Sequence, residues 1–333
     1  MSGQVASTPL VSVGMPVFNG EGTIRVALES VLAQTHENLE VLVYNNGSTD
    51  GTEAVVLDFQ RNDSRVKYLA GKANLGWTHS FSETFRMSSG PYFVWLGADD
   101  QLGSSALEEG VGLLESDQEV GVSVPLITAY LEDHEDPVYE VHFQGFGSDV
   151  SEFTKLVRSI RQLPVSCIYG LFRSEVLRAS RLLPPIYMAD VVLLQEVALR
   201  TAIVFNANQH LRYNMRTEWR TPAEELSITF GEELPRWSSV PALMLLLEKV
   251  RRLKGVTPTR FRWITYSALI AGAELWRLTW RALWRLARKL FGRTALRAFG
   301  TAFYWQHMLP GYMRVLDPTA YEERIVLPTL GLE

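Results

Sequence analysis

Between Val11 and Pro125, short apolar runs alternate with stretches of helical spacing, and that alternation leaves few architectures open. Val11 to Val17 is a β-branched run closing on the turn signal Pro16-Val17-Phe18-Asn19-Gly20. Ile24, Ala27, Leu28, Val31 and Leu32 then recur at helical spacing. Leu39 to Tyr44 is a second buried run, closed by Asn45-Asn46-Gly47, with a helix from about Asp50. Arg65 to Leu69 reads as a third strand, Trp77 to Met87 as a third helix and Tyr92 to Leu96 as a fourth strand. After another helix, Val120 to Pro125 reads as a fifth strand. Such a chain predicts an α/β fold. Its sheet should be mostly parallel and Rossmann-like, covered on both faces and joined by right-handed crossovers.

From Asp133 to Asn214 the pattern loosens into short strands (Val138 to Phe143, Ile203 to Phe205) and two helices (Glu152 to Arg161, Asp190 to Arg200). Beyond about Glu218 it is mainly helical and rich in Trp, Arg and Leu. We therefore expect an α/β domain over residues 1–216 and a helical, basic region over 217–333. Charge follows the same division. Lys249 to Arg297 holds thirteen Lys or Arg against the single acid Glu274, a net of +12; with a total of −5, the rest carries −17. A basic block on an acidic body points to an anionic surface.

On a helical wheel from Leu275 to Phe291, Arg277, Arg281, Arg285 and Arg288 share one arc and Leu275, Leu283, Leu286 and Leu290 the opposite one. Trp276, Trp280, Trp284 and Phe291 lie at the border, which suits a headgroup interface. Two readings stay open for residues 263–297: a helix packed on the α/β domain or in a homodimer, with a solvated arginine face, or a membrane-surface contact. The apolar run from Trp263 to Ala273 is too short to span a bilayer. Nucleic acid is not an expected partner. The lone cysteine, Cys167, excludes an intrachain disulfide and a cysteine-rich zinc site. Met1 to Leu10 lacks a basic and an apolar signal region, so a cytoplasmic location is expected, peripheral on the inner face of the cell membrane if the tail binds lipid.

The chemistry-bearing residues sit at strand ends, where α/β sheets bind ligands. Phe93-Val94-Trp95-Leu96 stops at Gly97-Ala98-Asp99-Asp100, two adjacent carboxylates that repel each other unless a cation lies between them and a phosphate. The alternative is a solvated acidic turn. Asn45 and Asn46 end the second strand, where a donor–acceptor amide suits a base edge or a ribose hydroxyl. Asp50 and Glu53 have the spacing of a capping box. Lys72-Ala73-Asn74-Leu75-Gly76 follows the third strand, and Lys72 or the Gly76 backbone can approach a phosphate there. Asp190 opens a helix with Val191, Leu194 and Ala198 as its apolar face; it is either an N-cap or a general base. Neither G-x-G-x-x-G after the first strand nor a P-loop occurs, which weighs against a nicotinamide dehydrogenase and a P-loop ATPase.

Taken in order, these segments resemble a family-2 glycosyltransferase of the GT-A fold, over about residues 10–215. Val11-Ser12-Val13-Gly14-Met15-Pro16-Val17-Phe18-Asn19 is similar to the family's first strand and P-x-[YF]-N turn. Glu29 to Thr35 is similar to the helix that follows, Asn45 to Thr52 to its D-[DN]-G-S-T-D-x-T segment, and Asn74-Leu75-Gly76 to its N-x-G loop. Ala98-Asp99-Asp100 occupies the D-x-D region, and Met188-Ala189-Asp190 is similar to the later acidic motif.

The resemblance implies an inverting enzyme that moves a sugar from a nucleoside diphosphate, UDP or dTDP, to a glycan or lipid-linked acceptor in surface polysaccharide or related glycan synthesis. It places Pro16, Phe18, Asn19, Asn45, Asn46, Lys72, Asn74, Gly76 and Asp99 at the nucleotide sugar. Asp99 and Asp100 would hold Mg²⁺ or Mn²⁺, and Asp190 would be the base. Should Asp190 fail, Glu196, Asp149 and Asp136 are the next acids. The acceptor would lie over Cys167 to Arg173. Two positions depart from the family: Asn45 stands where Asp reads the base imide, and Gly97 where D-x-D has its first Asp. Both favour the alternative of a catalytically silent GT-A domain acting as a binding or scaffold subunit. A nucleotidyltransferase would want a glycine- and basic-rich loop after the first strand, which Met15 to Glu21 does not supply.

Overall fold

The computed structural model describes residues 8–132, 134–161, 163–186, 188–215, 241–257, 259, 262, 264–273, 275 and 313–326. The expected alternation is present: β1 (Val11–Val17), α1 (Ile24–Leu32), β2 (Leu39–Asn45), α2 (Thr52–Asn62), β3 (Val66–Ala70), α3 (Trp77–Arg86) and β4 (Tyr92–Trp95). Every residue of β1, β2 and β4 is buried, so these strands read as continuous apolar runs. They pair in parallel in the order β3-β2-β1-β4. Val17 faces Asn45 and Asn45 faces Ala70, which brings the carboxyl ends of three strands to one edge.

Beyond β4 the sheet is mixed rather than mostly parallel. After β5 (Gln101–Leu102) and α4 (Ala106–Ser116) come β6 (Val120–Leu131), β7 (Tyr139–Val141), α5 (Glu152–Arg161), β8 (Leu171–Arg173), α6 (Ser174–Arg178), α7 (Ala189–Arg200) and β9 (Ala202–Met215). Three-residue β8 runs antiparallel between β4 and β6 and is too short to carry a periodic signal. Long β9 runs parallel to β6 and antiparallel to β5. Its register slips between Pro125 and Leu126, where Asn206 gives way to His210 as partner. That irregularity and its polar residues hide most of β9 in the sequence, where only residues 203–205 stand out.

Two corrections concern helix starts. The N-cap of α2 is Gly51, and its side-chain-free cap replaces the expected Asp50–Glu53 box. Asp190 is not an N-cap either: Met188 holds that position, in left-handed backbone, and α7 is buried from Val192 to Ala198 rather than on one face.

The C-terminal region is mainly helical over its described residues up to 275. Helix α8 (Pro241–Val256) packs on α7, and residues 264–273 are also helical. The chain then returns to the sheet: β10 (Met313–Val315) pairs with β7, and Tyr321, Ile325 and Val326 enter the main core. The expected domain boundary near 216 and the arginine–tryptophan stripe from Trp276 to Phe291 lie outside the described residues. Among the described residues, no helix is long and apolar enough to cross a membrane.

Candidate active site

The carboxyl ends of β1 and β2 are laced into one rim by the residues of their turns. Asn19 adopts φ 51°, its N–H donates to Ser48 Oγ (2.9 Å), and its Oδ1 accepts from Thr49 N (2.9 Å). Gly20 N donates to Thr52 Oγ1 (2.9 Å), Glu21 N to Asp50 Oδ2 (3.0 Å) and Gly51 N to Glu21 Oε2 (2.9 Å). Glu21 thus takes an orphan donor at the start of α2 that sequence assigned to a local box. Pro16 is buried within β1, whereas Phe18 is 44% exposed on the rim.

The two asparagines differ in task. Asn45, buried, accepts from Ser48 N (2.9 Å) and donates to Tyr68 OH (2.9 Å). Asn46, also buried, donates to Asn74 Oδ1 (2.9 Å) and Gly76 O (3.2 Å) and accepts from Leu75 N (3.2 Å). Asn74 Oδ1 accepts in turn from Gly76 N (3.0 Å). Asn46 and Asn74 therefore clamp the loop after β3 onto the loop after β2. Gly47 is needed at that contact: its φ is +77°, and a Cβ there would sit 2.6 Å from the Ala73 carbonyl carbon. Lys72 is left exposed on the same loop.

Past β4 the chain turns so that both acids fold back over Gly97. The point a Gly97 Cβ would occupy is 2.5 Å from Asp100 Oδ2 and 2.9 Å from Asp99 Oδ1. Gly97 is thus the position over which the two carboxylates converge. The rim is adjacent, since a Cβ on Gly20 would lie 3.7 Å from Ala98 Cβ. Asn214, near the end of β9, fixes the turn: its N donates to Asp100 Oδ1 (2.9 Å) and its Nδ2 to the Asp99 carbonyl (2.5 Å). Arg212 Nε donates to Asn214 Oδ1 (3.1 Å) while its guanidinium stacks 3.6 Å above the Tyr130 ring.

Asp100 Oδ2 is buried without a hydrogen bond. Burial, and then the Asp99 charge, push the Asp100 carboxyl well above the usual carboxylate range against the Asn214 N–H. An orphaned buried oxygen beside a second carboxylate is a donor set that a divalent cation completes. Such ions commonly take one or two protein carboxylates and fill the shell with phosphate oxygens and water. Among the described residues no cluster of three or more His, Cys, Asp or Glu could hold a metal.

Asp190, in the first turn of α7, is half-buried; its Oδ1 accepts from Val191 N (2.8 Å), and burial raises its pKa. Tyr169 links it to the paired acids. The Tyr169 phenol is pushed far up, first by burial and then by Asp100, Tyr213, Asp99 and Asp190, so all three aspartates bear on one hydroxyl. Its ring tilts against Tyr213 at 5.9 Å between centroids. Tyr169, Arg212, Tyr213 and Asn214 carry no motif; only the expectation of an acceptor over residues 167–173 touches one of them. Glu196 is removed as a substitute base, because arginines hold both its oxygens: buried Arg252 through Nη1 at 2.7 Å and Arg200 through Nη2 at 2.8 Å.

Residues 12–175, just under half of the chain, match the pattern described as Glycosyl transferase family 2. This segment belongs to that family. A Haemophilus influenzae protein named an uncharacterized glycosyltransferase is 38% identical over 112 residues, 34% of this chain and 35% of its own. An Escherichia coli relative, UDP-Glc:alpha-D-GlcNAc-diphosphoundecaprenol beta-1,3-glucosyltransferase WfgD, is 35% identical over 105 residues, 32% of this chain and 41% of its own. The chain spans about a third of the length of the first curated relatives it matches. Among solved structures, S. aureus TarS 1–349 in complex with UDP-GlcNAc superimposes with a TM-score of 0.56 at 12% identity, covering 87% of this chain and 75% of that one. The Pyrobaculum calidifontis mannosyltransferase PcManGT, in complex with GDP-Man and Mn2+, gives 0.53 at 17% identity, covering 98% and 87%. These likenesses establish the GT-A fold. The family 2 segment contains the rim, Asp99, Asp100 and Tyr169; Asp190 and Asn214 come from the chain that follows it.

Proposed function

We infer that this chain is an inverting glycosyltransferase. It moves a sugar from a nucleoside diphosphate to a hydroxyl of a glycan or lipid-linked acceptor, in surface polysaccharide or related glycan synthesis. The observation that carries the reading is the convergence of the Asp99 and Asp100 carboxylates over Gly97, one of them with an orphaned buried oxygen. Asp99 and Asp100 would hold Mg²⁺ or Mn²⁺, which when bound neutralises charge on the departing diphosphate. TarS with UDP or UDP-GlcNAc and PcManGT with GDP-Man and Mn2+ support a nucleotide-sugar donor. WfgD, named for UDP-Glc and a diphosphoundecaprenol acceptor, supports UDP and a lipid-linked acceptor. Phe18 offers an exposed ring to the base, and Asn45 has amide capacity left beyond Ser48 and Tyr68.

Asp190 Oδ2 takes the proton of the acceptor hydroxyl as that oxygen bonds to the anomeric carbon. The bond from that carbon to the diphosphate oxygen breaks on the opposite face. Val191 N–H holds Asp190 Oδ1 and so orients the group, and burial raises its pKa, which makes the carboxylate a stronger base. Gly97 lends no support to the silent-domain alternative, since its side-chain space is filled by the two carboxylates.

The test is Asp190→Asn with UDP-glucose or UDP-N-acetylglucosamine, Mn²⁺ and a lipid diphosphate-linked N-acetylglucosamine acceptor. Transfer should fall roughly 10²–10⁴-fold. UDP binding by calorimetry should be unchanged. Near-normal transfer would remove Asp190 from the mechanism.

A further inference from the structure

We propose that Arg252, on helix α8, is a positioning residue for Asp190: it ties together the two parts of the chain that deliver this carboxylate. The inference rests on the reading of Asp190 as the base. Arg252 is 3% exposed, and three of its nitrogens are placed. Nη1 donates to Glu196 Oε2 (2.7 Å), Nε to Glu248 Oε1 (2.9 Å) and Nη2 to the Leu182 carbonyl (2.7 Å). Glu196 lies on α7, the helix that carries Asp190 in its first turn. Leu182 lies on the other side of Asp190, at the start of the segment that enters α7.

That segment is held in an unfavourable backbone form at both ends. Leu182 has φ 52°, and Met188, the N-cap of α7, has φ 57° and ψ 41°. Left-handed backbone is unfavourable for a side-chain-bearing residue, and such residues persist where their surroundings over-determine them. Arg252 supplies the determination at the first end directly, through the Leu182 carbonyl. It supplies it at the second by fixing α7 through Glu196, whose other oxygen is held by Arg200 (2.8 Å). A planar guanidinium with donors on separate edges can make these contacts together, whereas an ammonium cannot. Helix α8 lies beyond the family 2 segment, so it gives this region a task at the reaction centre besides any surface it presents.

The test uses the full chain with two variants. Arg252→Lys keeps one cation at Glu196 without reaching Leu182. Arg252→Gln with Glu196→Gln removes the buried charge pair together, and Glu248 keeps Arg251 (3.6 Å) as its partner. UDP release from UDP-glucose and UDP-N-acetylglucosamine with Mn²⁺ is followed alongside melting temperature, amide exchange and the ¹³C titration of the Asp190 carboxyl, assigned with Asp190→Asn. In both variants kcat should fall about 10–100-fold with donor KM unchanged, because a small misplacement of a reacting group has that cost. Amides of residues 182–191 should exchange faster while those of β1 to β4 do not, and the Asp190 titration should move towards the ordinary carboxylate range. Arg252→Lys should recover the melting temperature without recovering kcat. Wild-type exchange at 182–191, or faster exchange with unchanged kcat, would overturn the proposal. If the wild type releases UDP from neither donor, the functional reading fails by itself. The exchange and the carboxyl titration then decide: movement of both upholds Arg252 as the residue that positions Asp190, and no movement of either ends it.

Discussion

Two carboxylates are buried at opposite ends of the same set of parallel strands, and the fold treats them in opposite ways. Glu40, near the start of β2, is 4% exposed, and Asp100, past the end of β4, is 1% exposed. Around Glu40 the partners are complete: Ser12 Oγ (2.6 Å), Ser89 N and Oγ (both 2.8 Å) and Lys67 Nζ (2.5 Å). Burial by itself would raise its pKa, yet those partners bring it down to about 2. Around Asp100 there is one backbone N–H and a neighbouring acid, and burial with that like charge drives its pKa the other way. Low solvent exposure therefore does not set the electrostatics by itself; depth of burial and the partners do. At the amino ends of the strands the carboxylate holds the sheet together, and at the carboxyl ends it is left incomplete.

The comparison breaks most directly at the incomplete end. Replacing Asp99 and Asp100 together by Ala should weaken Mn²⁺-dependent UDP binding at least about 100-fold, measured by calorimetry with and without the metal. The fold should survive, because two like charges are removed from one turn. Unchanged affinity would reduce the turn to a solvated acidic bend and erase the contrast with Glu40.

At the complete end the effect falls on stability. The downward shift at Glu40 corresponds to about 3 kcal/mol, and discounting the half-exposed Lys67 leaves about 2 kcal/mol. Glu40 is more acidic folded than unfolded, so its contribution is full above its ordinary pKa of 4.5 and is lost as pH falls towards about 2. Denaturant unfolding of Glu40→Gln should show that deficit at pH 7 and a closing gap with wild type below pH about 4.5. A deficit that does not vary with pH would assign the loss to packing instead.

Local signals made β1 to β4 and their turns legible, since apolar runs and turn residues act within a few positions. Asn45, Asn46, Asn74, Asp99, Asp100 and Asp190 stood out for the same reason. What stayed hidden was long-range. Asn214 reaches Asp99 and Asp100 across 115 and 114 positions, and Arg252 reaches Glu196 across 56. No window of sequence spans such pairs. Tyr169 looked like an unremarkable aromatic until the sheet set it before three aspartates. Glu40 was masked by its apolar neighbours in β2, because a strand pattern cannot reveal that serines and a lysine from elsewhere await the charge.

The smallest effect is the sharpest on geometry. Gly97 is where the family pattern has its first Asp, and its backbone is not in the left-handed region that favours glycine. Gly97→Ala therefore carries no conformational penalty of its own, and its consequence is steric. The new methyl would meet Asp100 Oδ2 at 2.5 Å and Asp99 Oδ1 at 2.9 Å, both under the closest approach that real Cβ atoms make. Those atoms are ends of side chains rather than backbone, so the fold adjusts. Asp100 Oδ1 stays anchored to Asn214 N, and the displacement is taken by the two oxygens that face the methyl. If these oxygens are the ones that hold the cation, Mn²⁺ affinity should fall about tenfold, the smaller part of what removing both carboxylates costs. The melting temperature should barely change. Full Mn²⁺ and UDP affinity in Gly97→Ala, beside a loss in the Asp99→Ala/Asp100→Ala double variant, would leave the acids as ligands and relocate the ion to their other oxygens. A loss in both would place it over Gly97.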